Sequence, residues 1–357
     1  MKRFLVAGLV FAFALAGCSS GAISGTASGA GEPGRTGPTA VITTAAARQV
    51  LSRYAAGVDQ AEQQDQTTVL ARYVAGSSYS IRATAFKDPT IRQAKPETFT
   101  QPTFYIPFRT SYPAWFAVSA HQGDQNVYLV FARESASAQW LEVFEPTVLT
   151  GVTVPDIATD RNGNAVPVPV GQAGQLPVAP DALPAAHAKY LDPAPTVTGR
   201  ACPPGTSKVL AAKLGCVLST PAPAAGTINF GSGRTDVTDL HDRSVFLANG
   251  KGEISVSNRH ATTTDTVYAL RTSDGGALVF YDLSAVMLLS PGPGFAGLFS
   301  IDYPDLITKG KNEDASFEVN YREQFAVDEP QGTPAKPQVV AQFSGAVSAS
   351  CGGGPCH

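Results

Sequence analysis

The chain has few charged residues, and this scarcity limits its possible partners. Only 15% of its 357 residues are charged, the net charge is −3, and no cluster of lysines and arginines occurs. Nucleic-acid binding needs a basic cluster, so nucleic acid is not an expected partner. The weak negative charge also argues against electrostatic binding to an anionic membrane. Because 43% of the residues are hydrophobic, we expect a folded protein.

Familiar catalytic signatures are also missing. Within the region 43–349, neither the G-x-S-x-G pattern of serine hydrolases nor the H-E-x-x-H pattern of zinc enzymes occurs. The letters G-x-G-x-x-G do occur at Gly292–Gly297, but the following Ser300–Pro304 does not have a helical pattern. A dinucleotide site requires a helix there, so a Gly/Pro turn is the better interpretation. We therefore predict neither a cofactor nor a catalytic residue.

A run of apolar residues long enough to cross a bilayer is absent from the N-terminus. Lys2 and Arg3 precede a short apolar run, Phe4–Ala14, which is followed by Leu15–Cys18. This is the plan of a secretory signal, and its end resembles a bacterial lipobox. We predict a signal peptide over 1–17 and acylation (palmitate) of Cys18, placing the protein on the extracytoplasmic face of the cell membrane. The alternatives are an ordinary signal peptide with a chance cysteine and a short membrane anchor.

Five cysteines are present, and the lipid would take one of them. The other four permit three pairings in an oxidising compartment. The local pairing, Cys202 with Cys216 and Cys351 with Cys356, is our first choice. Zinc bound by Cys351, Cys356 and His357 is the competing interpretation, but it lacks a fourth ligand. We therefore predict no metal.

The first half of the mature chain begins with a small-residue, Pro-containing tether at 18–42. Thr43 or Thr44 can cap a helix that ends near Gln64, and a shorter helical piece stopped by Gly76 follows. Period-two segments then predict four strands, at 103–108, 114–118, 127–131 and 140–144. These elements define a first domain at 43–149.

A Pro/Gly-rich junction is predicted at 150–179, and a second domain at 180–349 repeats the order of elements. It opens with a helix over 180–191 and continues with strand-like segments, before a Cys/Gly tail at 350–357. The expected fold class is α+β: two tandem domains, each an N-terminal helix packed on a curved antiparallel sheet. A parallel-stranded architecture or a continuous β-sandwich would contradict this expectation.

Two short polar segments are expected to be turns. Asp160–Asn164 superficially resembles a calcium loop, but its glycine is misplaced and no closing glutamate follows, so we predict a turn. Ser273–Gly276 predicts a β-hairpin, because glycines accept positive φ angles. We expect His187, on the predicted helix over 180–191, to lie at the surface or half-buried. His121 and His260 each end a predicted strand before a turn, where we expect them to be exposed.

The stretch Tyr268–Leu278 resembles a recurrent segment of an uncharacterised family of actinobacterial secreted lipoproteins. Tyr105–Pro107, Trp115-Phe116, Val154–Ala165 and Pro180–Leu183 follow the order found in that family. The resemblance implies a domain of unknown function whose halves are similar to cystatin-like or nuclear transport factor-like folds. No catalytic residues are assigned to the family, so the resemblance supplies none here.

Two functions follow from these patterns. The first is a non-catalytic binding or interaction module, anchored by its lipid, whose partner is an envelope protein or a small apolar ligand. Tyr105, Trp115 and Phe116 are candidates to line the mouth of a ligand site, although a place in the core is the simpler expectation for them. The alternative is an envelope-acting hydrolase that uses the loop at His241 and Asp242, where histidine and acidic residues are most concentrated.

Overall fold

A computed structural model of the chain describes residues 40–86, 97–192, 254–291, 316–332 and 336–351, together with the backbone of the short strands at 197–198, 245–246, 299–301 and 313–314. The helices are α1 Thr44–Gln64, α2 Thr67–Leu70, α3 Gly76–Ala85 and α4 Leu183–Leu191. The strands of the first half are β1 Phe99–Tyr105, β2 Ala114–Gln122, β3 Gln125–Arg133, β4 Leu141–Phe144 and β5 Thr147–Val148. Those of the second half are β6 Val197–Thr198, β7 Val245–Phe246, β8 Ile254–Thr262, β9 Tyr268–Arg271, β10 Ala277–Pro291, β11 Phe299–Ile301, β12 Glu313–Asp314, β13 Phe317–Glu329 and β14 Gln338–Cys351.

Helix α1 has the bounds and the apolar face that the sequence predicts. The Thr43 hydroxyl accepts a hydrogen bond from the Ala46 amide at 3.2 Å, and Asp65, at φ 53°, ends the helix. The buried face comprises Ala47, Val50, Leu51, Tyr54, Gly57, Val58 and Ala61. A Cβ atom at Gly57 would lie 2.3 Å from a ring carbon of Tyr73, so this glycine lets the ring pack against the helix.

The prediction that Gly76 stops a helix is wrong, because Gly76 begins α3. Its φ of 61° is a left-handed conformation that glycine adopts readily, and it turns the chain into the new helix. Helix α3 packs against β4, β13 and β14. Helix α3 therefore contacts β13 and β14, which are far from it in the sequence.

Alternation along β2 and β3 produces two buried faces. Phe116, Val118 and Leu129 lie in one core with α1, as the amphipathic pattern of that helix predicts. The alternate side chains of β2 and β3, which point to the other face of the sheet, pack in another core against β9, β10, β13 and β14. There the rings of Tyr128 and Phe280 lie 5.6 Å apart. The first strands and the later strands therefore share an apolar interior.

A third core lies under α4. Leu183 and Leu191 of this helix pack with Val279, Tyr281 and Leu283 of β10. Since Leu278 and Phe280 of the same strand belong to the shared interior, β10 is covered on both faces. This explains its nearly continuous apolar sequence, which is typical of strands buried on both sides.

Within the described residues, eleven strands form one sheet, with the order β1-β2-β3-β5-β14-β13-β10-β8-β6, β4 beside β3 and β9 beside β10. Every pairing between its strands is antiparallel. The short strands β12, β11 and β7 form a separate sheet. The chain is thus a mixed fold of helices and antiparallel sheet, and mostly sheet.

Strand β5 connects the two halves of the large sheet. Thr147 pairs with Val127 of β3, and Val148 pairs with Ala341 of β14, so hydrogen bonding continues from the early strands to the last one. The described residues from 40 onwards belong to one compact unit. Two tandem domains, each a helix on its own sheet, are therefore not confirmed, and the domain boundaries stay predictions.

Both predicted turns are confirmed. The Asp160 carboxylate accepts hydrogen bonds from the amides of Asn162 and Asn164 at 2.7 and 3.0 Å, which is turn chemistry. In the hairpin between β9 and β10, the Thr272 amide donates to the Gly276 carbonyl at 3.1 Å, and Gly275 has a φ of 92°. The hairpin therefore uses a glycine where a left-handed residue is required.

Candidate functional site

A buried arginine on α3 organises the densest polar cluster of the described residues. The Arg82 residue is only 7% exposed, and its neighbour Ile81 is also buried. Gly345 of β14 permits this placement, because a Cβ atom there would lie 2.6 Å from Cγ2 of Ile81. The close approach of α3 to β14 directs the Arg82 side chain towards carboxylates from three other segments.

The guanidinium of Arg82 is bound by glutamates. Its Nη1 lies 2.8 Å from Glu97 Oε1 and 3.7 Å from Glu62 Oε1, and its Nη2 pairs with Glu145. The Tyr54 hydroxyl donates to the same Glu145 carboxylate at 2.7 Å and accepts from Arg82 at 3.1 Å. A charge removed from water is tolerated only with such partners.

A second layer of polar groups fixes this cluster to the sheet. Gln324 of β13 accepts a hydrogen bond from the Glu145 amide at 2.8 Å and donates to the hydroxyls of Ser77 and Ser78, each at 2.8 Å. Ser78 in turn donates to Glu142 at 2.7 Å. These bonds join α3, β4 and β13, so the cluster holds together parts of the sheet that are distant in sequence.

Burial changes the protonation of two of the glutamates. Loss of water raises the pKa of Glu97 to about 8, despite the opposing effect of Arg82. Burial, followed by the nearby Glu145 charge, raises the pKa of Glu142 well above its usual value. Both shifts favour the protonated form of these carboxyl groups, which reduces the negative charge around Arg82.

One side of the cluster opens into a cleft, which we call the α3–β14 cleft. It has a volume of about 300 Å³ and is lined by Ile81, Arg82, Phe86, Gln122, Glu145 and Phe343, among others. Apolar and polar groups thus face the same space. A partly apolar cleft with a few fixed polar groups is the usual form of a small-molecule site.

The three aromatic residues predicted from the sequence are not brought together at one mouth. Phe116 is fully buried and stacks on Phe131 at 5.0 Å, on the α1 side of β2. Trp115 points to the opposite face, where it lies 5.0 Å from Tyr268 and lines a different cavity. The Tyr105 hydroxyl lies 3.2 Å from that of Ser119. Alternation along β2 separates Trp115 from Phe116.

The predicted exposure of His187 is wrong. Its side chain is fully buried in the core under α4, where Nδ1 lies 2.8 Å from the Tyr281 hydroxyl. Burial, and next the proximity of His260, lowers the pKa of His187 well below its usual value, so the ring is neutral. The helical spacing was predicted correctly, but the apolar surface that covers this face comes from β10 and β13.

His260 is also buried, at 8% exposure, contrary to the prediction for a strand end. Its Nδ1 lies 2.6 Å from Asp192, and its Nε2 lies 3.4 Å from Glu323. The Asp192 carboxylate also accepts a hydrogen bond from the His260 amide at 2.7 Å. This histidine therefore lies between two carboxylates and connects the end of α4 to β8.

Several predicted positions lie outside the described residues: Cys18, Cys202, Cys216, Cys356, His241, Asp242 and the glycine-rich segment 292–297. Cys351, the last residue of β14, is described and is buried. The cysteine pairing therefore stays a prediction. Among the described residues, no group of three His, Cys, Asp or Glu side chains is placed to hold a metal ion. None of the described helices is long and apolar enough to cross a membrane.

Sequence reasoning did not identify the Arg82 cluster. The available signal is weak: Glu142 interrupts an apolar strand, and Arg82 lies in a short helix with an otherwise small or apolar inner face. Neither residue indicates a partner, because Glu62, Glu97 and Glu145 come from separate segments.

The fold and the cleft define a helix-covered antiparallel sheet protein with a buried arginine–glutamate cluster. The chain belongs to the family with a domain of unknown function, DUF8094, whose model matches residues 38–349. It is also 40% identical over 98 residues to an uncharacterised lipoprotein of Streptomyces avermitilis, an alignment that covers 27% of this chain and 29% of that relative. No solved structure matches the chain. The predicted relationship to an uncharacterised actinobacterial lipoprotein family is confirmed.

Proposed function

We propose that this protein is a lipid-anchored, extracytoplasmic binding protein and that the α3–β14 cleft is its ligand site. The lipobox-like segment ending at Cys18, the tether at 18–42 and the lipoprotein relative support the anchoring part of the proposal. The observation that carries the binding part is the cleft itself. It brings Arg82 and Glu145 to the edge of an apolar space of about 300 Å³.

The lining of the cleft favours a small ligand with an apolar body and a hydrogen-bond donor at one end. Phe86 and Phe343 offer apolar contacts, whereas Glu145 offers carboxylate oxygens. Both Nη atoms of Arg82 already face glutamate carboxyl groups, so the guanidinium has little capacity for an anionic ligand. An ammonium or hydroxyl group on the ligand could donate a hydrogen bond to the Glu145 carboxylate.

We propose a non-catalytic role. A hydrolase of the Ser–His–Asp type needs a histidine between a carboxylate and a hydroxyl nucleophile. The pairing of His260 with Asp192 supplies half of this arrangement, but its other ring nitrogen faces the Glu323 carboxylate. The hydrolase alternative at His241 and Asp242 concerns residues outside the described part of the chain, and no feature of the cleft favours it.

Ligand binding can be tested with two probes of matched size, phenethylamine and 3-phenylpropionate. We expect phenethylamine to bind the mature chain, carrying Cys18→Ser to keep it in solution, and to raise its melting temperature. The anionic probe should bind at least about tenfold more weakly, because it meets the glutamate oxygens. Isothermal titration calorimetry measures both affinities.

A pair of tryptophan variants locates the site. Ser344→Trp places a large side chain in the lining of the cleft, whereas Ser350→Trp makes the same change at an exposed position of β14 outside it. We expect only Ser344→Trp to abolish binding of phenethylamine while the protein remains folded by circular dichroism. Equal binding by both variants, or preference for the anionic probe, would refute the proposal.

A further inference from the structure

A second pocket, formed by α1, the turn after α2 and the end of β3, is lined by three arginines. We call it the arginine pocket: Arg53 of α1, Arg72 of the turn after α2, and Arg133 at the end of β3 face one space of about 330 Å³. The elements that supply them are separated in sequence, but the packing of α1 and α2 beside β3 brings them together. None of the described residues that line this pocket is acidic.

Among the described residues, no carboxylate lies close enough to form an ion pair with any of the three arginines of this pocket. This differs from Arg82, which is surrounded by glutamates, and from Arg322, whose guanidinium pairs with Asp265 at 2.7 Å and with Asp282. Three unpaired guanidinium groups around one space are unusual in a chain whose net charge is −3.

Arg133 is held in a defined position before any ligand arrives. Its Nε donates a hydrogen bond to the Ala138 carbonyl at 2.8 Å, and its Nη2 donates to the Ala136 carbonyl. The guanidinium also lies over the rings of Tyr112 and Trp140, at 5.2 and 6.0 Å from their centroids. These contacts reduce the conformational entropy that a ligand would have to remove on binding.

The same positive surface continues along α1. Arg53 and Arg48 line a shallower depression beside the arginine pocket, and Arg48 lies 5.7 Å from the ring centroid of Phe104. Arg48 also forms no ion pair within the described part of the chain. A ligand larger than a single anionic group could therefore extend from the pocket towards the start of α1.

We propose that the arginine pocket binds a phosphate group, carried either by a soluble phosphoester or by a phospholipid headgroup. Guanidinium groups bind phosphate oxygens through their N–H donors, and several of them are needed to balance a multiply charged oxyanion. Arg133 contributes its Nη1 donors and its positive charge, because its Nε and Nη2 already donate to backbone carbonyls. Tyr73 and Trp140, which also line the pocket, offer faces for the organic part of the phosphoester. This inference concerns a separate site and does not depend on the proposed function of the α3–β14 cleft.

The test uses glycerol phosphate as the soluble probe and the mature chain carrying Cys18→Ser. We expect saturable binding by isothermal titration calorimetry that weakens as the salt concentration rises. The double variant Arg53→Gln/Arg72→Gln should weaken binding by at least about tenfold, since it removes two of the three charges. The control Arg161→Gln/Arg259→Gln removes the same total charge at exposed positions outside the pocket and should bind like the unchanged protein.

Vesicles distinguish the two sources of phosphate. Binding to phosphatidylglycerol vesicles that glycerol phosphate displaces, and that the Arg53→Gln/Arg72→Gln variant loses, identifies a headgroup site. Binding of glycerol phosphate without binding to vesicles identifies a soluble phosphoester. The proposal is overturned if the control variant loses as much affinity as the pocket variant, if succinate binds as tightly as glycerol phosphate, or if glycerol phosphate neither binds nor displaces vesicles.

Discussion

Gly345 of β14 lies directly against Ile81 of α3, with no space for a side chain between them. A Cβ atom at Gly345 would lie 2.6 Å from Cγ2 of Ile81, which is buried and branched at Cβ. The contact sets the distance between α3 and the sheet. It therefore also sets the position of Arg82, the next residue of the helix.

Gly345→Ala should lower the free energy of unfolding by about 1–3 kcal/mol, because α3 must shift to relieve the overpacking. Urea unfolding followed by circular dichroism measures the loss. Gly171→Ala is the matched control: its Cβ would meet the nearest atom, Asp181 Oδ2, at an ordinary 3.7 Å, and we expect almost no change. Equal stability of the two variants would show that α3 does not depend on this contact.

The buried carboxyl group of Glu97 makes stability depend on pH. Because its pKa rises to about 8 on folding, the folded state holds a proton that the unfolded state releases above about pH 4.5. Stability should therefore fall as the pH rises from 5 to 8, with a slope from this group of at most about 1.4 kcal/mol per pH unit, and level off above 8.

Glu97→Gln should make this decline less steep, because the amide remains neutral at every pH in the range. Melting temperatures measured from pH 5 to 9 would show the difference. Glu134→Gln, a change at an exposed position, should follow the unchanged protein. A parallel decline in Glu97→Gln would mean that Glu97 is ionised in the folded protein.

Asp192 should be important for the attachment of α4 to the sheet. Its carboxylate accepts hydrogen bonds from the backbone and the ring of His260, so Asp192→Ala leaves both groups without this acceptor. We expect a loss of about 2–4 kcal/mol in unfolding free energy. Asp181→Ala, at an exposed position before α4, should cost far less. Similar losses for both variants would contradict the structural role given to Asp192.

Lipidation at Cys18 can be measured directly. Intact-mass analysis of the membrane fraction should show a mature chain that begins at Cys18 and carries added acyl mass. Cys18→Ser should abolish this processing. A soluble product of the unchanged chain, or one that retains Met1, would contradict the lipobox interpretation.

The cysteine pairing is open to peptide mapping without reduction. We expect Cys202 joined to Cys216, and Cys351 joined to Cys356. In the chain-entropy model, a loop of about 15 residues contributes about 3 kcal/mol of stabilisation. A peptide that links Cys202 to Cys351 or Cys356 would instead show that the C-terminus is tied to the earlier loop.

Local signals explain how much of this fold could be predicted. Thr43 and the apolar spacing of α1 are contiguous in the sequence, and so are the residues of the Ser273–Gly276 turn; both elements were predicted correctly. Glycine is common at helix ends, so Gly76 was predicted to end a helix. Whether a glycine ends one helix or begins the next depends on the path of the following residues, and the local sequence around Gly76 does not reveal that path.

The site depends on contacts that no local pattern reveals. Arg82 and Glu145 are 63 residues apart, and Gln324 is further still from both, yet they lie in one hydrogen-bonded cluster. Similarly, His187 is buried because strands that come much later in the chain cover it. Tertiary packing decides whether such a residue is exposed. The spacing of residues within its own helix predicts only which other residues lie on the same face of that helix.

The position of β14 in the sheet has a consequence for the order in which the chain can fold. This strand is the last in the sequence, yet it lies between β5 and β13 and joins the early strands to the later ones. During synthesis, the pairing of β14 with β5 and β13 cannot form until residues 338–351 have emerged. Before that point, only contacts outside this ladder, such as the hydrogen bonds of Gln324 with Glu145 and Val143, can link the early strands to the later ones. The large sheet is therefore completed only after its last strand has been made.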